Sequence, residues 1–221
     1  MYTKDNFKKD LELIKPFGFS IPFPEESIFI KKELDRQLRI DVTGRNYYPH
    51  GVYFGGVTAS IHFNELENVL NEYLDKHEIE QRYGDTTIQK SFVGISEVDY
   101  SKFSIEISDD KTFNEVATEV NKTIEYGVYP FFERYKALNA ISDDLSKMNE
   151  DEISNFISGI VRLKTPLIKK LVDANDYFES LKVSKEFYQG EALKYPQYFK
   201  EHDKVFFDLF SEDLKNIKPT V

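Results

Sequence analysis

Reactive side chains are sparse in this chain of 221 residues: it has no cysteine, and its only imidazoles are His50, His62, His77 and His202. Without thiols, thiolate zinc sites, iron–sulfur clusters and cysteine nucleophiles are excluded together. The histidines fall into neither H-E-x-x-H nor H-x-x-x-H spacing, so no metal site is expected, and no cofactor. His62 and His77 line a candidate pocket only if the strand carrying the first packs on the helix carrying the second; otherwise His77 ends a helix where the dipole favours a cation. No G-x-S-x-G elbow occurs. Gly55-Gly56 lies within a strand-like run instead of opening a helix, so it reads as a bulge and not as a phosphate cradle. Carboxylates, the material of general acid–base chemistry, cluster as Asp109-Asp110, Asp143-Asp144 and Glu150-Asp151-Glu152. Each cluster coincides with an expected helix start, where the dipole accounts for negative charge. The loop from Gly44 to Gly51 holds Arg45, Tyr47, Tyr48 and His50, a cation, two phenols and an imidazole of the kind that anchors a partner. No carboxylate or nucleophile adjoins them, so they are candidates for partner binding, and no catalytic residue is expected.

The elements that must position these groups follow from periodicity. Phe7, Leu11 and Ile14 share a helical face before Lys15-Pro16 stops it, residues 17–24 read as irregular or edge structure, and Ser27–Glu33 and Gln37–Thr43 read as strands. Val52–Phe63 predicts a strand with Tyr53, Val57, Ala59, Ile61 and Phe63 on one face. Asn64 and Glu67 suit a capping box ahead of a stripe of Leu66, Val69, Leu70, Tyr73, Leu74 and His77. Strands follow at Ile88–Gly94 and Lys102–Ser108, and beyond Ser108 every periodic segment is helical. Helices are expected from Thr112-x-x-Glu115, from Tyr129-Pro130 after a stop at Gly127, from Ser142, from Asn149 and from Thr165-Pro166, with short pieces joined through Gly190 and Pro196. The expected fold is α+β: an antiparallel sheet of four or five strands with helices on one face in residues 1–141, and a helical region in 142–221 packed on it or continuous with it.

With 40% hydrophobic and 15% aromatic residues the chain can build a core. The charged start and the lack of a long apolar run predict a cytoplasmic chain with neither signal peptide nor membrane span. Of the formal charge of −10, most falls in residues 97–152, where 14 acidic side chains face 6 basic ones, a surplus of eight. Such a field repels phosphate backbones and anionic lipids, so neither nucleic acid nor membrane is the expected partner. Aromatics crowd Tyr126 to Tyr135 and the C-terminal stretch; those left exposed would mark an interface.

The Phe103–Ser108 strand, the Thr112–Ile124 helix and the turn Tyr129-Pro130-Phe131-Phe132-Glu133 resemble a loosely defined set of uncharacterised bacterial α+β domains, some of them immunity-like. The resemblance implies a partner-binding role without catalysis, reaches to about residue 140, and transfers no site residue. The expectation is therefore a non-enzymatic protein-protein interaction protein with an acidic surface for a basic partner. The alternative is a small-molecule binding protein or enzyme with an aromatic pocket between sheet and C-terminal helices and His62 or Arg45 as its polar contact. A structural homodimer is the third reading.

Overall fold

Strands gather early in the chain and helices late. The computed structural model describes residues 2–23, 27–47, 51–76, 86–92, 105–194, 208 and 210–220. Strands β1 (Ser20–Phe23), β2 (Ile28–Lys32), β3 (Arg36–Tyr47), β4 (Gly51–Phe63) and β5 (Ile88–Phe92) lie side by side in chain order, and β6 (Ile105–Ile107) also pairs with β4. The pairings of β1 with β2, β2 with β3 and β4 with β6 are antiparallel. The sheet thus has six strands, because the proline-containing edge segment joins it. The class is α+β with a C-terminal helical region.

By compactness the chain divides into two units, Met1–His62 with Gln89–Arg134, and Phe63–Ile88 with Tyr135–Val221. In the first, helix α1 (Lys4–Asp10), capped by Thr3, runs into a 3₁₀ turn at Leu11–Leu13 and buries Phe7 and Leu11. Helix α3 (Asp110–Thr123) buries Phe113, Val116, Ala117 and Val120, the face its 3.6-residue period predicts. Its cap is Asp109, whose carboxylate accepts from the Thr112 backbone N–H at 2.8 Å, so the helix begins earlier than a Thr112 box would start it. Gly127 does not end this helix. The chain passes through a π-helical stretch, Ile124–Val128, into α4 (Tyr129–Arg134), and a Cβ at Gly127 would lie 2.8 Å from the Phe92 ring. Glycine is needed there for close approach. On β4 the buried positions change parity, from Val52 to Val57, Ala59, Ile61 and Phe63, across Gly55-Gly56 with Gly56 at φ +114°. The glycines therefore shift the pleat by one residue, and Tyr53 faces the same way as exposed Glu106, its register partner.

The second unit is built from α2 (Asn64–Lys76), α5 (Leu138–Leu145), α6 (Glu150–Phe156), α7 (Val161–Leu171) and α8 (Tyr177–Lys194). Asn149 and Glu152 form the expected reciprocal capping box of α6. Ser142 caps nothing: α5 already starts at Leu138, driven by burial of Leu138, Ile141 and Leu145. Thr165-Pro166 lies inside α7, which starts at Val161 because Leu163, Leu167, Ile168 and Leu171 need one continuous buried face. Proline deprives the Arg162 carbonyl of its donor, while the Thr165 hydroxyl donates to the Val161 carbonyl at 2.8 Å. Gly190 is an interior residue of α8, not a joint between helices.

Candidate functional site

The helical unit contains a groove of about 480 Å³ with three walls, two of which each come from one helical periodicity. Arg162, Thr165 and Lys169, spaced i, i+3 and i+7, form the face that α7 turns toward it. Asp176, Glu179, Ser180, Val183 and Ser184 follow the same repeat at the start of α8. The third wall is the end of α5 and the start of α6, with Leu145, Ser146, Met148, Asn149, Glu150 and Ile153. The groove exists because α8 lacks an apolar stripe here. Serines and one valine stand where leucines would close the gap.

Its charges are arranged in pairs. Lys169 is 2% exposed, and its ammonium donates to the Ser142 carbonyl at 2.8 Å, to Asp176 Oδ2 at 2.7 Å and to Ser146 Oγ, which accounts for all three of its hydrogens. Burial alone would raise the Asp176 carboxyl, but hydrogen bonds from Lys169 and Ser146 and the charge of Lys169 outweigh it and hold the group below its ordinary value. A serine beside a lysine suggests nucleophile and base. Here the lysine is the donor to the serine oxygen, and with three acceptors around its nitrogen it offers no lone pair to take the serine's proton. Arg162 donates to Glu150 at 3.1 Å and lies over the Phe187 ring at 4.5 Å. Two features are left over: Glu179, which pairs with no cation among the described residues, and the Ser180 hydroxyl oxygen, buried without a hydrogen-bond partner.

In the same unit a second ionic cluster is sealed off. Glu67, 0% exposed, accepts from Lys164 Nζ at 2.8 Å and Thr87 Oγ1 at 2.7 Å through one oxygen, and its other oxygen has no partner. Lys164 also donates to the Thr86 carbonyl at 2.8 Å, and the Phe63 N–H donates to Thr87 Oγ1 at 3.0 Å. Glu67 therefore binds a buried lysine. In the sheet unit, a smaller hollow of about 270 Å³ lies between Phe17, Phe19, Lys31, Arg36, Tyr129 and Phe132. There Arg36 donates to Glu33 at 2.7 Å and to the Phe132 carbonyl at 3.1 Å.

Of the residues singled out by sequence, Arg45 and Tyr47 lie at the end of β3, with side chains outside the described atoms. Tyr48, His50 and His77 lie outside the described residues. His62 is half-buried on β4 and lines none of these hollows. Asp109 and the Glu150–Glu152 run sit at helix starts as expected. Asp144 does not: it lies in the last turn of α5, buried, and accepts from the Tyr135 hydroxyl at 2.6 Å. The groove was missed because its residues look unremarkable singly. The signal was the pair of lysines, Lys164 and Lys169, within an otherwise apolar helical stripe.

Among the described residues no group of histidines and carboxylates could hold a metal ion, and no helix is long and apolar enough to cross a membrane. The chain matches no family model, no curated protein and no solved structure.

Proposed function

We propose that this chain is a non-enzymatic binding protein for a basic protein partner, with the groove of the helical unit as the seat of contact. The observation that carries the reading is the groove's charge balance. Both of its cations are already engaged by carboxylates, and the carboxylate in excess, Glu179, stands beside an unpartnered hydroxyl. Groups paired in this way bind; none is left as a free base beside a nucleophile. The chain's charge of −10 adds long-range attraction for a basic surface. A basic toxin or effector is the partner that the likeness to immunity-like domains suggests.

The test is capture of partners by the immobilised full chain across ionic strength, identified by mass spectrometry. Retention of a basic protein at low salt, released as the Debye length shrinks from roughly 10 Å at 0.1 M to roughly 3 Å at 1 M, is the expected result. Retention indifferent to salt, or of acidic proteins alone, contradicts it.

A second reading has an observation of its own. The groove's volume lies within the roughly 300–1,000 Å³ of small-molecule sites, so a free metabolite would fit. Native mass spectrometry of the purified chain, with a discrete added mass, would favour that reading.

A further inference from the structure

We propose that the hollow in the sheet unit binds a free one-ring aromatic acid, its ring against Phe17 and Phe19 and its carboxylate between Lys31 and Tyr129. The site goes beyond the partner-binding reading and shares no residue with the groove. Lys31 and Leu38 are register partners on β2 and β3, so the lysine stands on the sheet face that buries Leu38. Helix α4 brings Tyr129, Phe132 and Glu133, at i, i+3 and i+4, to the same hollow. Phe19 and Phe132 stack at 6.0 Å and make one wall of two rings. Phe17 is 88% exposed although its backbone is held: its N–H donates to Tyr129 Oη at 2.8 Å, and the Phe19 N–H donates to the Pro16 carbonyl at 3.1 Å. Its ring extends an aromatic lining of the kind that small-molecule sites favour. At about 270 Å³ the hollow falls just short of the roughly 300–1,000 Å³ of drug-sized sites, which suits one ring with a short arm.

The polar groups call for an anion. Glu33 receives Lys31 on one oxygen at 2.9 Å and Arg36 on the other at 2.7 Å. Burial alone would raise its carboxyl, but hydrogen bonds from Lys31 and Arg36 outweigh it and hold the group below its ordinary value. Two cations therefore share one carboxylate. Lys31 spends one of its three hydrogens on Glu33 and has no other acceptor among the described residues. The Tyr129 hydroxyl accepts from Phe17, and its own hydrogen likewise has no acceptor among them. Two donors without acceptors, one of them charged, match the oxygens of a carboxylate. A cationic ligand lacks such a match, because both Glu33 oxygens are taken and Glu133, exposed at the rim, is itself engaged.

The test is titration of the 15N-labelled full chain with phenylpropionate, phenylpropionamide and phenylpropylamine, and separately with an acetylated diglycyl-phenylalanine peptide that ends in a free carboxylate. The acid is expected to shift the amides of residues 17–19, 31–33 and 129–133, to leave those of 176–184 in place, and to bind at least about fivefold more tightly than the amide. Lys31→Met is expected to remove most of that preference and leave the amide's affinity unchanged. Phe17→Ala, a change at an exposed position, is expected to weaken acid and amide alike by about three- to tenfold. Equal affinity for acid and amide overturns the carboxylate assignment. Preference for the amine overturns it too and makes the hollow a cation site. Tighter binding of the peptide than of the free acid overturns the free ligand in favour of a chain terminus. No shift at millimolar ligand, or shifts confined to residues 176–184, overturns the hollow as a site and leaves the partner-binding reading of the groove to its own test.

Discussion

Lys164→Met should destabilise the helical unit far more than the number of atoms it changes. In the native unit the Glu67 carboxylate is wholly buried and one of its oxygens carries both hydrogen bonds, from Lys164 at 2.8 Å and Thr87 at 2.7 Å. Removing the lysine leaves a buried charge with one neutral donor, a loss of about 3–5 kcal/mol. Against a total stability of about 5–15 kcal/mol this is a large fraction. With a urea m value of roughly 2–3 kcal/mol/M it lowers the midpoint by about 1–2 M. Glu67→Leu removes the carboxylate partner of the buried ammonium and should cost a similar amount. The double change to leucine and methionine removes both desolvation costs together and should return stability to within about 1 kcal/mol of the parent, or exceed it by up to about 4 kcal/mol. The assay is equilibrium urea unfolding of the four proteins. If Lys164→Met costs under about 0.5 kcal/mol, or the double variant falls by the sum of the singles, the cluster is not the coupled buried pair its geometry describes.

Other expectations are simpler to state. The Asp176 carboxyl, followed by 13C NMR, should titrate below its ordinary 3.8 and move up in Lys169→Met. Because its native value is depressed, the stability it lends is present at neutral pH, lost as acid takes it through that value, and should be smaller in the variant. Gly127→Ala gains about 1 kcal/mol of helix propensity but drives a Cβ to 2.8 Å from the Phe92 ring, so a net loss of up to about 2 kcal/mol is expected, reversed in a Phe92→Leu background. Asn149→Ala removes the α6 capping box and should cost about 1 kcal/mol in thermal unfolding; no change would mean that the cap carries no stability.

The parts of the fold that sequence made legible are those where one face of an element is uniformly apolar. The α3 stripe from Phe113 to Ile124 and the α2 stripe through Leu70 and Leu74 are buried as their periods require. Boundaries failed wherever tertiary packing overrode a local signal. Gly127 reads as a stop but is small because Phe92 crowds it, and Pro166 reads as a start but sits inside α7 because the leucines on either side must be buried together. Glu67 shows the same ambiguity in polar residues. Three positions after Asn64 it fits a capping box, yet its place between Leu66 and Leu70 on the buried face required a partner such as Lys164, 97 residues away, that no local pattern reveals. The groove was hidden for a related reason. Ser180 and Ser184 look like surface residues of a polar helix, and only the packed arrangement shows them lining a hollow.

The most direct test of the account is the affinity of the full chain carrying Glu179→Lys for a basic partner captured by the parent. Reversing this charge changes the contact by two units, each worth about 1–4 kcal/mol at 4 Å between the dielectric of water and that of a protein surface. The account predicts binding at least about tenfold weaker, with stability lowered by no more than the roughly 1–2 kcal/mol that a charge reversal in the first turn of α8 costs. Parent-like affinity would show that the partner is held somewhere other than the groove.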